Sequence, residues 1–145
     1  MYRILFIFTL ILTITVGCQA NNENSSNTPA EALERIHLDE SYAEVKEVYE
    51  TIEIDEDRVI SVYKGTMNNI EEIFVANIEK MDGKWLVTDA INIGMPIADN
   101  LNQGSGGSGT EKFEAGYIDE KSVLDEEIKI IELNDSNYKI WIDVF

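Results

Sequence analysis

Ile73-Phe74-Val75-Ala76-Asn77-Ile78-Glu79-Lys80-Met81-Asp82-Gly83-Lys84-Trp85-Leu86-Val87-Thr88 decides how the rest of this chain is read. Two apolar, β-branched runs, 73–80 and 84–88, flank Asp82-Gly83, the dipeptide that tolerates positive φ at both central positions of a type I′ turn, so the stretch predicts an antiparallel hairpin. Upstream the apolar residues keep a period of two. Val48, Ile52 and Ile54 alternate with polar residues, Asp55-Glu56-Asp57 makes a charged turn, and 58–64 forms the next strand, followed by a turn over 65–69. Downstream a short strand over 90–94 ends before Pro96.

Outward from this block the pattern changes twice. Thr28-Pro29-Ala30-Glu31 has the layout of a helix start, with a capping Thr, Pro at the first helical position and Glu three residues after the cap. Ala32, Leu33 and Ile36 then form one apolar stripe, which predicts a short helix to about Leu38 lying on a sheet. At the other side, residues 100–110 include Gly104-Ser105-Gly106-Gly107-Ser108-Gly109, which have little to pack and predict a flexible loop, whether engineered or natural low complexity. Phe113, Ala115 and Tyr117 alternate beyond it, and 128–133 is apolar. In the final run Tyr138, Ile140, Ile142 and Val144 share one face while Trp141 and Phe145 share the other, as in a central strand covered on both sides. These elements predict one α+β domain over 28–145, a short N-terminal helix packed on a mainly antiparallel sheet of six to eight strands.

The N-terminus is a different kind of sequence. After Met1-Tyr2-Arg3 the run from Ile4 to Val16 is apolar for thirteen residues. As a helix it would span about 20 Å, short of the roughly 30 Å of a bilayer core, and it has the length of a signal-peptide apolar region. It ends at Thr15-Val16-Gly17-Cys18, which resembles the lipobox of bacterial lipoproteins, although Thr15 stands where that family usually has Leu. The resemblance implies cleavage of residues 1–17 between Gly17 and Cys18, and a diacylglycerol thioether with palmitate-type acyl chains on Cys18. Two chains anchor a protein stably where one does not. Cys18 is the sole cysteine, so disulfides are excluded and lipidation accounts for an otherwise unpaired exported thiol. The polar run 18–27 predicts a disordered tether. The abundance of Lys, Ile, Asn and Glu suits a low-GC organism and hence a Gram-positive cell membrane.

Charge narrows the partners. The formal net charge is −17, and loss of Arg3 with the leader takes it to −18. Nucleic-acid binding rests on clustered Lys and Arg, and here they are scattered among acids. The membrane is reached through the lipid anchor alone, and the protein partner such a surface attracts is a basic one.

Chemistry is sparse. His37 is the only histidine, at the end of the first helix, where it complements the dipole. No nucleophile–base pair can be composed, no catalytic residue is assigned, no cofactor motif occurs, and transition-metal sites lack nitrogen and sulfur ligands. Oxygen ligands are abundant at Asp55-Glu56-Asp57 and Asp125-Glu126-Glu127, but neither has the spacing of a calcium loop. Trp85, Trp141, Tyr49, Tyr63, Tyr117 and Tyr138 line either a pocket or the core. The resulting expectation is a lipid-anchored extracytoplasmic binding or accessory protein without enzymatic activity. A small hydrolase using paired carboxylates and a calcium-binding surface domain stand as alternatives. Asp82-Gly83-Lys84-Trp85-Leu86-Val87 is also similar to a hairpin of lipoproteins with the nuclear-transport-factor-like cone, which makes that fold the alternative architecture.

Overall fold

The computed structural model describes residues 26–96, 107–119, 121, 128–133 and 137–145. The expected leader, Gly17 and Cys18, the tether up to 25, residues 100–106 and Asp125-Glu126-Glu127 lie outside the described residues.

Four long strands form an up-and-down sheet in chain order: β1 (Glu44–Asp55), β2 (Arg58–Met67), β3 (Ile70–Met81) and β4 (Lys84–Gly94). Each connection is a two-residue turn whose chemistry is local. Asp55 accepts the Asp57 N–H at 2.8 Å, a side-chain substitute for a backbone turn bond. Asn68 and Asn69 sit at φ 54° and 64°, and Asp82 and Gly83 at 51° and 76°, as a type I′ turn requires. The turn expected over 65–69 is therefore confined to Asn68-Asn69. Gly65 lies inside β2, paired with Glu72, and strand continues to Met67.

The two strands expected over 84–88 and 90–94 are one. Asn77 pairs with Asp89 while Ile78 pairs with Val87, so Thr88 is an extra residue, a β-bulge. Before it Trp85 and Val87 face one side; after it Ala90 joins them there and Ile91 and Ile93 face the other. A bulge shifts alternation by one, which in the sequence looks like a break between strands.

A second sheet has the order β5-β6-β8-β7, from β5 (Gly107–Gly109), β6 (Phe113–Asp119), β7 (Lys129–Glu132) and β8 (Tyr138–Val144). Strand β8 is internal, paired with β6 on one edge and β7 on the other, as its two apolar faces predict. Residues 107–109, expected in the flexible loop, form an edge strand instead, pairing with Gly116, Ala115 and Glu114. An edge ladder is made by backbone groups alone, and glycine does not forbid it.

The first sheet is covered on both faces. Ile60, Val62, Ile73, Val75 and Ile91 pack against Phe113, Ala115, Tyr117, Ile131, Ile140 and Ile142 of the second sheet. On the opposite face Val59, Tyr63, Phe74, Ala76, Ile78 and Val87 meet Ala32, Leu33, Ile36 and Ala43. This double burial is why all six residues from Ile73 to Ile78 are inaccessible, a run that reads as continuous hydrophobicity with one polar residue. The helix there, α1 (Pro29–Glu34), is only six residues long and passes into a 3-10 turn over Ile36–Leu38. Thr28 Oγ1 accepts the Glu31 N–H at 3.2 Å, and Glu31 in turn accepts the Asn27 N–H at 3.2 Å, satisfying donors the helix start would leave open.

The class is thus mainly antiparallel β within α+β, but with two stacked sheets where one was expected, and without the single curved sheet of a cone. Structure also begins earlier than the expected tether allows. Ser26 is 6% exposed and exchanges two 2.8 Å backbone hydrogen bonds with Trp85, and Lys84 Nζ reaches Asn27 Oδ1 at 2.5 Å.

Candidate functional site

Two places bring polar groups together in ways the alternating pattern does not dictate. The first lies between the sheets at the β-bulge, where Thr88 and Asp89 are presented together. Asn77, fully buried, accepts from Arg58 Nε at 2.7 Å and donates through Nδ2 to Glu79 Oε1 at 2.9 Å and to Thr88 Oγ1 at 2.8 Å. Lys112, just before β6, places its ammonium 2.9 Å from Glu79 and 3.2 Å from Asp89, while its carbonyl accepts from Arg58 Nη2 at 3.0 Å.

This is a carboxylate pair, the arrangement an acid–base hydrolase needs, but one ammonium bridges it. Burial by itself would raise Glu79; hydrogen bonds from Lys112 and Asn77 override it and hold the carboxyl below its usual range. Lys112 is raised, first by its hydrogen bond to Glu79. Glu79 is therefore kept ionised, opposite to the raised carboxyl a general acid requires. The cluster acts as a clasp that fastens the entry of the second sheet to β2, β3 and β4.

The second place is a recess of about 100 Å³ on the helix side of the first sheet, lined by Ser41, Tyr42, Ala43, Tyr63, Met67, Phe74, Ala90 and Asn92. The turn from Asp39 to Ala43 leads from the 3-10 segment into β1 and forms one wall; β2, β3 and β4 form the floor. Tyr63 and Phe74 stack with ring centroids 5.4 Å apart. Tyr63 is fully buried, and its hydroxyl has no hydrogen-bond partner among the described residues. Burial pushes that phenol far up, so it stays a protonated O–H. Tyr42 is raised by burial, then by Asp39 and Asp89.

The lining is polar at two points, and each carries a carboxylate behind it. Ser41 donates its N–H to Asp39 Oδ1 at 2.9 Å, and Asn92 Nδ2 donates to Glu72. The hydrogen bond from Ser41 keeps Asp39 below the usual carboxylate range. Among the described residues no Lys or Arg lines the recess.

The aromatic residues singled out from the sequence are dispersed. Only Tyr63 lines the recess. Trp85 borders the helix side with Lys80 Nζ 5.8 Å from its ring centroid. Tyr49 packs between the sheets with Tyr117 and Tyr138, whose rings meet edge to face at 5.3 Å, and Tyr117 donates its hydroxyl to Gly94 O. Trp141 is 9% exposed on the far side of β8. Ser41, Tyr42 and Asn92 were not singled out; nothing local marks them, since the recess joins segments up to fifty residues apart.

Other candidates resolve into local roles. His37 places Nδ1 2.8 Å from Glu34 O in the 3-10 turn. In the acidic turn Asp55 closes the backbone and Asp57 lies 3.5 Å from Lys80 Nζ. Among the described residues no three His, Cys, Asp or Glu side chains gather as metal ligands, and no helix is long and apolar enough to cross a membrane.

No protein-family model, curated protein or solved structure matches this chain.

Proposed function

We propose that this chain is a lipid-anchored, extracytoplasmic binding or accessory protein of a bacterial envelope, of the Gram-positive kind, that works without catalysis. The observation that carries the reading is Thr15-Val16-Gly17-Cys18 at the end of an apolar run too short to span a bilayer, in a chain with no other cysteine. Two structural features support the binding half. The recess by Tyr63 is lined chiefly by aromatic, small and amide side chains, with no nucleophile–base pair among the described residues, and the carboxylate pair at Lys112 is held as an ion cluster.

Anchoring at Cys18 would keep the domain close to the lipid. Seven residues, 19–25, separate that cysteine from docked Ser26, and eight steps of chain reach at most ~29 Å. Ser26 pairs beside the Asp82-Gly83 turn, at the end of the first sheet opposite the Asn68-Asn69 turn, so a lipid on Cys18 would bring the Asp82-Gly83 end nearer the membrane. The acidic surface disfavours contact with anionic headgroups.

The test is metabolic labelling with palmitate, comparing wild type with Cys18→Ser. Label and membrane association are expected to disappear together in the variant. Equal labelling and fractionation of the two proteins would remove the basis of the proposal.

A further inference from the structure

We infer that the recess lined by Tyr42, Tyr63, Phe74 and Asn92 takes the end of a lysine side chain presented by a basic protein partner, seating the aliphatic stem against its apolar wall and leaving the ammonium at the rim on the side of Asp39 and Glu72. This rests on the binding role just proposed and names its ligand chemistry.

Size comes first. A drug-sized ligand needs a pocket of roughly 300 Å³ or more, and a dry cavity of about 150 Å³ admits benzene; a recess of about 100 Å³ admits less, an unbranched aliphatic chain. Its walls suit such a chain, because Tyr42, Ala43, Tyr63, Met67, Phe74 and Ala90 supply apolar surface. Ring faces also attract a cation.

Charge then selects the head group. Two carboxylates accept hydrogen bonds from the polar lining, Asp39 from Ser41 and Glu72 from Asn92, and among the described residues no Lys or Arg lines the recess. Asp89, next to lining residue Ala90, is already bridged by Lys112, so it adds little. An anionic ligand would meet the field of a chain with net charge −17.

A protein-borne lysine is favoured over a free amine because the recess is small and open to solvent. A single side chain bound there gains little by itself and needs flanking contacts, which the acidic surface around it offers to a basic chain.

The experiment follows amide and side-chain NMR shifts of the full-length protein, titrated at matched ionic strength with n-butylammonium chloride, butan-1-ol, sodium butyrate and a capped Gly-Lys-Gly peptide. Saturable shifts at Tyr42, Tyr63 and Asn92 are expected with butylammonium, on the order of millimolar, and at least as tightly with the lysine peptide. Butanol is expected to bind about fivefold more weakly or worse, and butyrate not at all. Ala90→Leu should abolish the shifts by filling the recess. Asp39→Asn and Glu72→Gln, at half-buried positions where the amide oxygen can still accept the Ser41 N–H and the Asn92 amide, should each weaken binding by about two- to fivefold. Butanol binding as tightly as butylammonium overturns the inference, as does full binding to the two charge variants. Butylammonium binding without the lysine peptide overturns the protein-partner assignment. Cys18→Ser should bind butylammonium like wild type, so loss of anchoring and loss of ammonium binding are separate failures.

Discussion

Gly65 shows how a single hydrogen atom in place of a methyl group positions the recess. A Cβ there would lie 3.0 Å from Ala43 Cβ, 3.0 Å from Tyr63 Cε2 and 3.1 Å from Phe74 Cδ2. Both rings are buried and stacked, so neither can move aside. Gly65→Ala is expected to destabilise the domain by about 1–3 kcal/mol through overpacking, read as a lower denaturant midpoint at unchanged slope. A midpoint equal to wild type would mean the rings yield. In the sequence Gly65 resembles the start of a turn because glycine punctuates so often. What distinguishes it is the approach of Ala43, twenty-two residues away, which no local pattern records.

At the scale of elements, the clasp between the sheets is the feature with a measurable pH signature. Glu79 is depressed in the folded state, so its contribution is fully present above its unfolded value, near 4.5, and is lost as pH falls through the lower folded value. Lys112 is raised, so its part is present below about 10.5 and fades only above that. Wild type is therefore expected to lose stability below about pH 4.5 more steeply than Glu79→Gln, measured by denaturant midpoints from pH 3 to 6. Parallel curves would show that Glu79 has no depressed value to lose. The other elements follow rules a reader of the sequence can apply. Asp82-Gly83 produces its turn because both residues accept positive φ, and Tyr138–Val144 lies between two strands with Ile140 and Ile142 buried on one face and Trp141 on the other, although Phe145 on that second face is exposed. Thr88 escapes such reading: a bulge is defined by the partner strand, and from one strand it looks like an interruption.

For the whole molecule, charge opposes compactness. With Asp and Glu numbering 28 against 11 Lys and Arg, self-repulsion acts across the surface. Ion pairs such as Lys46–Glu44 and Lys139–Glu132, whose carboxylates are largely in solvent, offset little of it. Raising sodium chloride from 0.02 to 0.3 M shortens the Debye length from about 20 Å to about 6 Å, and Tm is expected to rise by a few degrees. Calcium chloride at equal ionic strength should give the same rise. A clearly larger rise with calcium would reveal a cation site among the acids and revive the calcium-binding alternative.

The amino-acid order alone determined most strands and the Asp82-Gly83 turn, because each rests on neighbours: alternation along a strand and backbone tolerance of positive φ. Only the tertiary structure decided that the strands divide into two sheets, that Ser26 and residues 107–109 join them, and that Tyr42, Tyr63 and Asn92 meet in one recess. Those outcomes depend on side chains that find each other from positions far apart in the chain, as Arg58, Asn77 and Lys112 do. Their meeting is set by the packing of both faces of one sheet, a property of the folded whole.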